Sequence, residues 1–394
     1  MSSLAASVPR LRPLERARQI ALLLSERAAQ AERERTLPEA SVAAIARAGL
    51  FRMTLPRELG GDEPDFAELI ETWEEIARAD GSAGWTVMAN GTAAAAAAAY
   101  LSDQAIAAIF GEDPAATVGG QFAPRGTGVR TNGRWRITGS YSFGSGTAHS
   151  GFVSAGFIPI ENGAPRAMAN GLPEMHVAFF PRERVEFRDN WHVMGLAGTG
   201  SYDYAVNDAE LVEGFSFPLF TREPRRGSPL FRLGMMPVTA SGHAAWALGV
   251  ARRALDELRG MASERQRMGD ASALAGKPTF QRDLARAEAK LRAARGYVFD
   301  AFGALGRVAL RGDPPTLPQR AEVRLATNLA TEVNVSVCDF AHACAGTVAV
   351  RDASALRRCF LDAHTGSQHA FISEKVWTDC GQVLLGTVED VLGL

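Results

Sequence analysis

The sequence predicts an α+β chain that is mostly helical. An N-terminal helical domain is expected over residues 1–115, a central β-barrel-like domain over 116–218, and a C-terminal four-helix bundle over 219–394. Three observations carry this. Before about residue 112, apolar positions recur at helical spacing, as in Leu69, Ile70, Trp73 and Ile76 set among acidic residues. Near Ala116 the texture changes to glycine, valine, phenylalanine and threonine in strand-length runs. Beyond Pro229 it returns to helical texture in four long runs joined by short loops, the pattern of an antiparallel bundle.

The elements follow in order. Residues 37–49 form a helix with Pro38 in its first turn and Gly49 as its stop. The alanine run 93–99 reads as a buried or packed helix. Asn132-Gly133 separates two alternating segments, the strongest short hairpin signal. Residues 151–159, 175–180 and 204–212 continue as strands. Residues 235–268, 278–310, 317–345 and 353–371 are each long enough for a bundle helix, with polar, Gly/Pro-containing connections at 269–277 and 311–316.

Composition narrows the function. The 394 residues are 46% hydrophobic and 22% charged, ordinary for a globular protein, and call for two or three packed regions. A formal net charge of −2 gives no basic excess for nucleic acid or an anionic membrane. No run reaches the roughly 18 uncharged apolar residues of a membrane span, and no apolar stretch of signal-peptide type opens the chain, so a cytoplasmic location is expected. Cys338, Cys344, Cys359 and Cys380 form no C-x-x-C pair. Cys338 and His342 share a helical face but supply only two metal ligands, so the cysteines read as core residues and no metal is expected.

The chemistry is concentrated in a few segments. Leu55-Pro56-Arg57-Glu58-Leu59-Gly60-Gly61, Tyr141-Ser142-Phe143-Gly144-Ser145-Gly146 and Gly195-Leu196-Ala197-Gly198-Thr199-Gly200-Ser201 place glycines and small hydroxyl residues where backbone can approach a flat ligand. Near the C-terminus, Asp362-Ala363-His364-Thr365-Gly366-Ser367-Gln368-His369 supplies two imidazoles. On a helix their directions differ by about 140°, and no H-E-x-x-H pattern is present, so a shared zinc site is disfavoured. An imidazole with a pKa near 6.5 accepts a phenolic proton around neutrality. Read singly, each of these segments is also explained by a tight turn, a strand connection or a satisfied histidine.

Together the segments resemble the acyl-CoA dehydrogenase superfamily over almost the whole chain. Within it they are most similar to the two-component flavin-dependent monooxygenases of the 4-hydroxyphenylacetate, 3-HSA and dibenzothiophene type. The resemblance implies the acyl-CoA dehydrogenase fold and a homotetramer. It also implies reduced FMN or FAD, supplied by a separate flavin reductase, and oxygen transfer through a flavin C4a-hydroperoxide to an aromatic or heteroatom-containing small molecule. By the same resemblance Ser145 lies near flavin N5 and holds the oxygenated intermediate, while Gln121, Phe122 and Ala123 line the ring through backbone groups. Trp191, Thr199 and Ser201 belong to a second lining segment, and Arg265 and Arg267 resemble arginines that contact a flavin phosphate across a subunit interface. His369 matches the base, with His364 lining the pocket or exchanging roles with it. Phe122, Trp191 and Met236 are expected pocket walls. The Tyr-Glu-Gly-Thr-like sequence that carries the dehydrogenases' catalytic glutamate is absent, and residues 231–250 contain no Asp or Glu for the alternative position. Two further readings share the resemblance: an acyl-CoA dehydrogenase or related flavin oxidase, and a non-catalytic binding member.

Overall fold

The computed structural model describes residues 11–394, apart from Glu112, Pro114 and Arg267. Helices α1 (Pro13–Glu34), α2 (Glu39–Arg47), α3 (Phe66–Ala79), α4 (Gly81–Tyr100) and α5 (Asp103–Phe110) open the chain. Caps set their starts. Asp65 accepts the Glu68 N–H at 2.9 Å to begin α3, and Asp80, which ends α3, accepts the Ala83 N–H at 2.9 Å to begin α4. Pro38 caps α2 instead of occupying its first turn. Almost every residue of α4 is buried, including the alanine run, so it forms the axis of the N-terminal layer.

Eight strands follow: β1 (Val118–Thr131), β2 (Arg134–Tyr141), β3 (Phe152–Glu161), β4 (Ala164–Pro165), β5 (His176–Pro181), β6 (Glu186–Arg188), β7 (Asp203–Leu211) and β8 (Ser216–Pro218). Asn132 and Gly133 turn β1 into β2 with φ of 52° and 81°, the left-handed pair that a two-residue hairpin demands. The sheet runs β6-β7-β2-β1-β3-β5-β8, with β4 on β3. The path is open, with β6 and β8 at its two ends. β1 and β3 are parallel, and their register breaks between Gln121 and Gly126, where β1 bulges outward.

The last layer is α6 (Met235–Ala262), α7 (Pro278–Leu310), α8 (Leu317–Ala345), α9 (Ala355–Gly366) and α10 (Glu374–Leu385). α6 packs on α3 and α8, α8 on α7, and α9 on both α6 and α8. Two expected helices are shorter than their periodicity suggests. α6 stops at Ala262 instead of 268, in turns where Glu264 and Arg265 both donate to the Met261 carbonyl. The segment expected as a helix to 371 stops at Gly366. A Cβ on Gly366 would stand 2.3 Å from the Trp246 ring, and residues 367–373 leave the helix to turn His369 and Phe371 onto α6. One hydrophobic core runs through all three layers. By length and composition Leu317–Val350 is apolar enough to cross a membrane; its residues 317–345 form α8, which packs on α6, α7, α9 and α10.

Candidate active site

Ser145 sits on a ledge after β2, built by backbone that only this sequence tolerates. Phe143 adopts φ 61°, and its ring is 62% exposed. A Cβ on Gly144 would meet the Tyr202 carbonyl at 2.7 Å. The Trp85 indole N–H donates to Ser145 Oγ at 3.0 Å, a direction fixed because an indole nitrogen only donates. Ser201 Oγ lies 3.3 Å from the same oxygen and 2.8 Å from Thr199 Oγ1, whose own hydrogen goes to the Leu196 carbonyl at 2.8 Å. The indole N–H thus fills one acceptor position of the Ser145 hydroxyl, and a chain of hydroxyls runs behind it.

Trp85 also bridges to the histidines. Its ring meets Trp246 at 5.0 Å, His243 at 5.2 Å and His369 at 5.6 Å, all edge to face. His243 and His369 lie 4.6 Å apart, and Phe371 stacks on His243 at 5.3 Å. His369 keeps accessible surface in a cavity of about 710 Å³ between α8 and residues 367–377. Trp85 and His243 crowd its ring even so. Burial, followed by the charge of nearby Arg324, pushes its pKa down to about 4. Burial, His369 and Arg324 together drive His243 well below the ordinary range. Both rings are neutral at pH 7, and the Phe371 N–H donates to His369 Nδ1 at 3.2 Å, so in the neutral ring Nε2 carries the hydrogen.

Loop 195–201 is tied to α9. Leu196, at φ 56°, donates its N–H to Asp362 Oδ1 at 2.5 Å, and a Cβ on Gly195 would strike the Leu361 carbonyl at 2.1 Å. Burial raises the Asp362 pKa to about 7, with the Leu196 N–H working against it and Asp80 and Glu32 adding to it. Trp191 is buried, donates to the Ala197 carbonyl at 3.1 Å and meets the Phe143 edge at 6.0 Å. Gln121, whose N–H donates to the Tyr204 hydroxyl at 2.9 Å, has a buried Oε1 with no partner among the described residues. Phe122 packs on Phe179 at 6.4 Å, and the Phe122 and Ala123 carbonyls lie over Gly156 in the β1 bulge.

Ser145, Ser201, Thr199 and His369 are thus brought together around Trp85. Trp191 joins them through its loop. Met236 is half-buried in the first turn of α6, on the helix that carries His243. His364 bonds Asp339, a wall of the cavity that His369 lines, at 2.8 Å and packs on Phe360, which stacks on His342. Arg265 donates to Thr347 Oγ1 at 3.3 Å, about 30 Å along α6 from His243. Arg267 lies outside the described residues. Trp85 and His243 were not singled out from sequence. The available signal was a lone large ring among Gly81, Ala83 and Gly84, and an imidazole directly after Ser241-Gly242 in a stretch, 231–250, without acids.

Comparison with known proteins gives the family. Residues 15–108 match the family model "Acyl-CoA dehydrogenase, N-terminal domain" and residues 241–374 match "Acyl-CoA dehydrogenase, C-terminal domain". The chain is 32% identical to an indole-3-acetate monooxygenase of Pseudomonas putida, over 90% of this chain and 89% of that protein. It is 26% identical to the oxygenase component of an FADH2-dependent resorcinol hydroxylase of a Rhizobium species, over 97% and 96%. Its fold superposes on the crystal structure of a 3-HSA hydroxylase from Rhodococcus with a TM-score of 0.90 and 24% identity, covering 98% and 99% of the two chains.

Proposed function

This chain belongs to the acyl-CoA dehydrogenase family, among its two-component flavin-dependent monooxygenases, and from that premise we propose that the pocket around Trp85 oxygenates an aromatic small molecule with reduced FMN or FAD. The observation that supports this reading is Trp85 itself. One side chain bonds the Ser145 hydroxyl on one side and packs against the His369 imidazole on the other.

The residues fit a flavin. The Ser145 hydroxyl, the orphaned Oε1 of Gln121 and the exposed rings and chains of Phe143 and Met194 offer polar groups and an apolar lip to a flat heteroaromatic ring. When bound, reduced flavin supplies the two electrons with which O2 is divided between the substrate and water. Around it, the Ser145 hydroxyl, fixed by the Trp85 N–H, is offered to the ring. His369 takes the substrate's O–H or N–H proton at Nδ1, the nitrogen that accepts the Phe371 N–H in the free protein, and so raises electron density at the atom to be oxygenated. Trp85, Trp246 and Phe371 make the surroundings apolar and keep water from the reacting atoms.

Dehydrogenation of an acyl thioester needs a carboxylate base against the substrate's α-carbon. Asp362 is committed to the Leu196 N–H, whereas Glu374, in the first turn of α10, lines the same cavity as His369, as do Glu332 and Asp339. A separate flavin reductase and assembly into a homotetramer complete the proposal, the latter giving Arg265 a flavin phosphate to meet across an interface. The test is to supply chemically or enzymatically reduced FMN and FAD, O2 and a panel of indoles and phenols. Oxygenated product and tighter binding of reduced than oxidised flavin are expected. Stoichiometric retention of oxidised FAD with acyl-CoA turnover would overturn the proposal.

A further inference from the structure

Three successive residues leading into β7 close like a zipper on the ledge that follows β2. Ser201 Oγ lies 3.3 Å from Ser145 Oγ, the Tyr202 carbonyl accepts the Gly144 N–H at 3.0 Å, and Asp203 Oδ1 accepts the Phe143 N–H at 3.0 Å. Asp203 Oδ2 then accepts the Ser142 hydroxyl at 3.2 Å and Asn190 Nδ2 at 2.8 Å. The Asn190 side chain answers in the other direction, its Oδ1 accepting the Asp203 N–H at 3.2 Å. One half-buried carboxylate thus gathers three donors from two segments of the chain, 142–143 and 190.

Each segment carries one of two rings at the mouth of the site. Phe143 sits at φ 61°, a conformation that is strained for a non-glycine residue and persists only where its neighbours hold it. Asp203 supplies that hold through the Phe143 N–H. Trp191 directly follows Asn190, and its ring meets Phe143 edge to face at 6.0 Å. The network also dictates the residue type. A carboxylate only accepts, and each of these side-chain and backbone groups facing Asp203 Oδ1 and Oδ2 donates. An amide at this position would set its NH2 against the NH2 of Asn190.

Resting on the oxygenase reading above, we propose that Asp203 is a positioning residue for oxygenation: paired with Asn190, it sets where the Ser145 hydroxyl stands and keeps the Phe143 and Trp191 rings closed as one wall of the site. It acts through Phe143, Ser145 and Asn190 and exchanges no proton. Its effect is on partition. With the wall closed, water is kept out, and reduced flavin and O2 end in oxygenated product; with the wall loosened, the same two electrons end in hydrogen peroxide.

The test is a reciprocal exchange in the full-length protein. Asp203→Asn and Asn190→Asp each break the pairing, the first by opposing two NH2 groups and the second by opposing two carboxylates. The double variant restores every bond with the roles reversed: the carboxylate now at 190 accepts the backbone N–H of position 203 and the new amide, whose oxygen still takes the Phe143 N–H. Each single variant should show a product-to-peroxide ratio about three- to tenfold below wild type, with reduced flavin, O2 and the indole or phenol that wild type oxygenates best; the double variant should return to within about twofold. Hydrogen–deuterium exchange, measured without flavin, should quicken about tenfold at backbone 142–145 in the single variants and recover in the double. Turnover is measured about 15 °C below each variant's melting temperature, so that lost stability alone leaves the ratio unchanged. If Asn190→Asp does not fold, Asp203→Asn against the double variant decides the matter. Single variants that melt lower but keep the wild-type ratio, or a double variant no better than the worse single, would overturn the inference and leave the oxygenase reading standing. Failure of wild type to oxygenate any probe with either flavin would overturn both.

Discussion

Replacing Trp85 with phenylalanine keeps an aromatic ring between Ser145 and His369 and removes the one N–H that holds Ser145 Oγ at 3.0 Å. With that N–H gone, the Ser145 hydroxyl loses the partner that fixes its orientation. A neutral hydrogen bond of this kind is worth roughly 0.5–1.5 kcal/mol net. About 1 kcal/mol lost from the productive orientation corresponds to about a fivefold change in the partition between product and hydrogen peroxide. The smaller ring also loosens the contacts with Trp246 and His243, so a fall in stability of roughly 0.5–3 kcal/mol is expected. The assay mixes protein, a limiting amount of reduced flavin, O2 and an oxygenated aromatic, then quantifies product and peroxide. The discriminating experiment is the cycle with Ser145→Ala. If Trp85 works through Ser145, the double variant is no more uncoupled than Ser145→Ala alone. If the two defects multiply, the indole N–H does not act through Ser145 and the argument fails.

His369→Ala should still consume reduced flavin and O2 but form product about 10²- to 10⁴-fold more slowly, with peroxide replacing it; near-native product yield would remove the base from this position. The same histidine sets an acid limit. Its pKa is about 4 folded against about 6.5 unfolded, so the unfolded chain takes up the proton first and stability falls as pH drops from 6.5 towards 4. His369→Ala should flatten that part of a melting-temperature profile. Asp362 has the opposite sign. Folded it keeps its proton up to about pH 7, unfolded only to about 3.9, so stability declines as pH rises through that window. Asp362→Asn keeps an acceptor for the Leu196 N–H and should melt higher than wild type at pH 8, on the order of 2 °C or more; a lower melting temperature there would show that the ionised form is the one the fold requires.

Much of the fold was legible because its signals are local. Asn132-Gly133 needs only its own φ angles, and the capped α3 and the alanine run of α4 need only their periodicity. The end of α9 was not legible, because Gly366 gives way to the Trp246 ring, a contact between helices far apart in the chain. The site divides the same way. Ser145 and His369 were named from their own short segments, whereas Trp85 bonds a serine 60 residues on, and His243 meets its neighbour only once α6 and α9 pack.

The Leu196–Asp362 bond means that the serine ledge and the histidine are not independent parts of the enzyme. Thr199 and Ser201 hang from the loop that Asp362 fixes, and His369 hangs from the end of the same helix. If the sheet and the bundle drift apart, on warming or when a bulky guest enters, α9 carries both with it. The spacing between proton donor and proton acceptor then behaves as the length of one rigid bracket. The cavity walls on α8 and α10 lie outside that bracket, so the shape of the guest can be altered without resetting the chemistry.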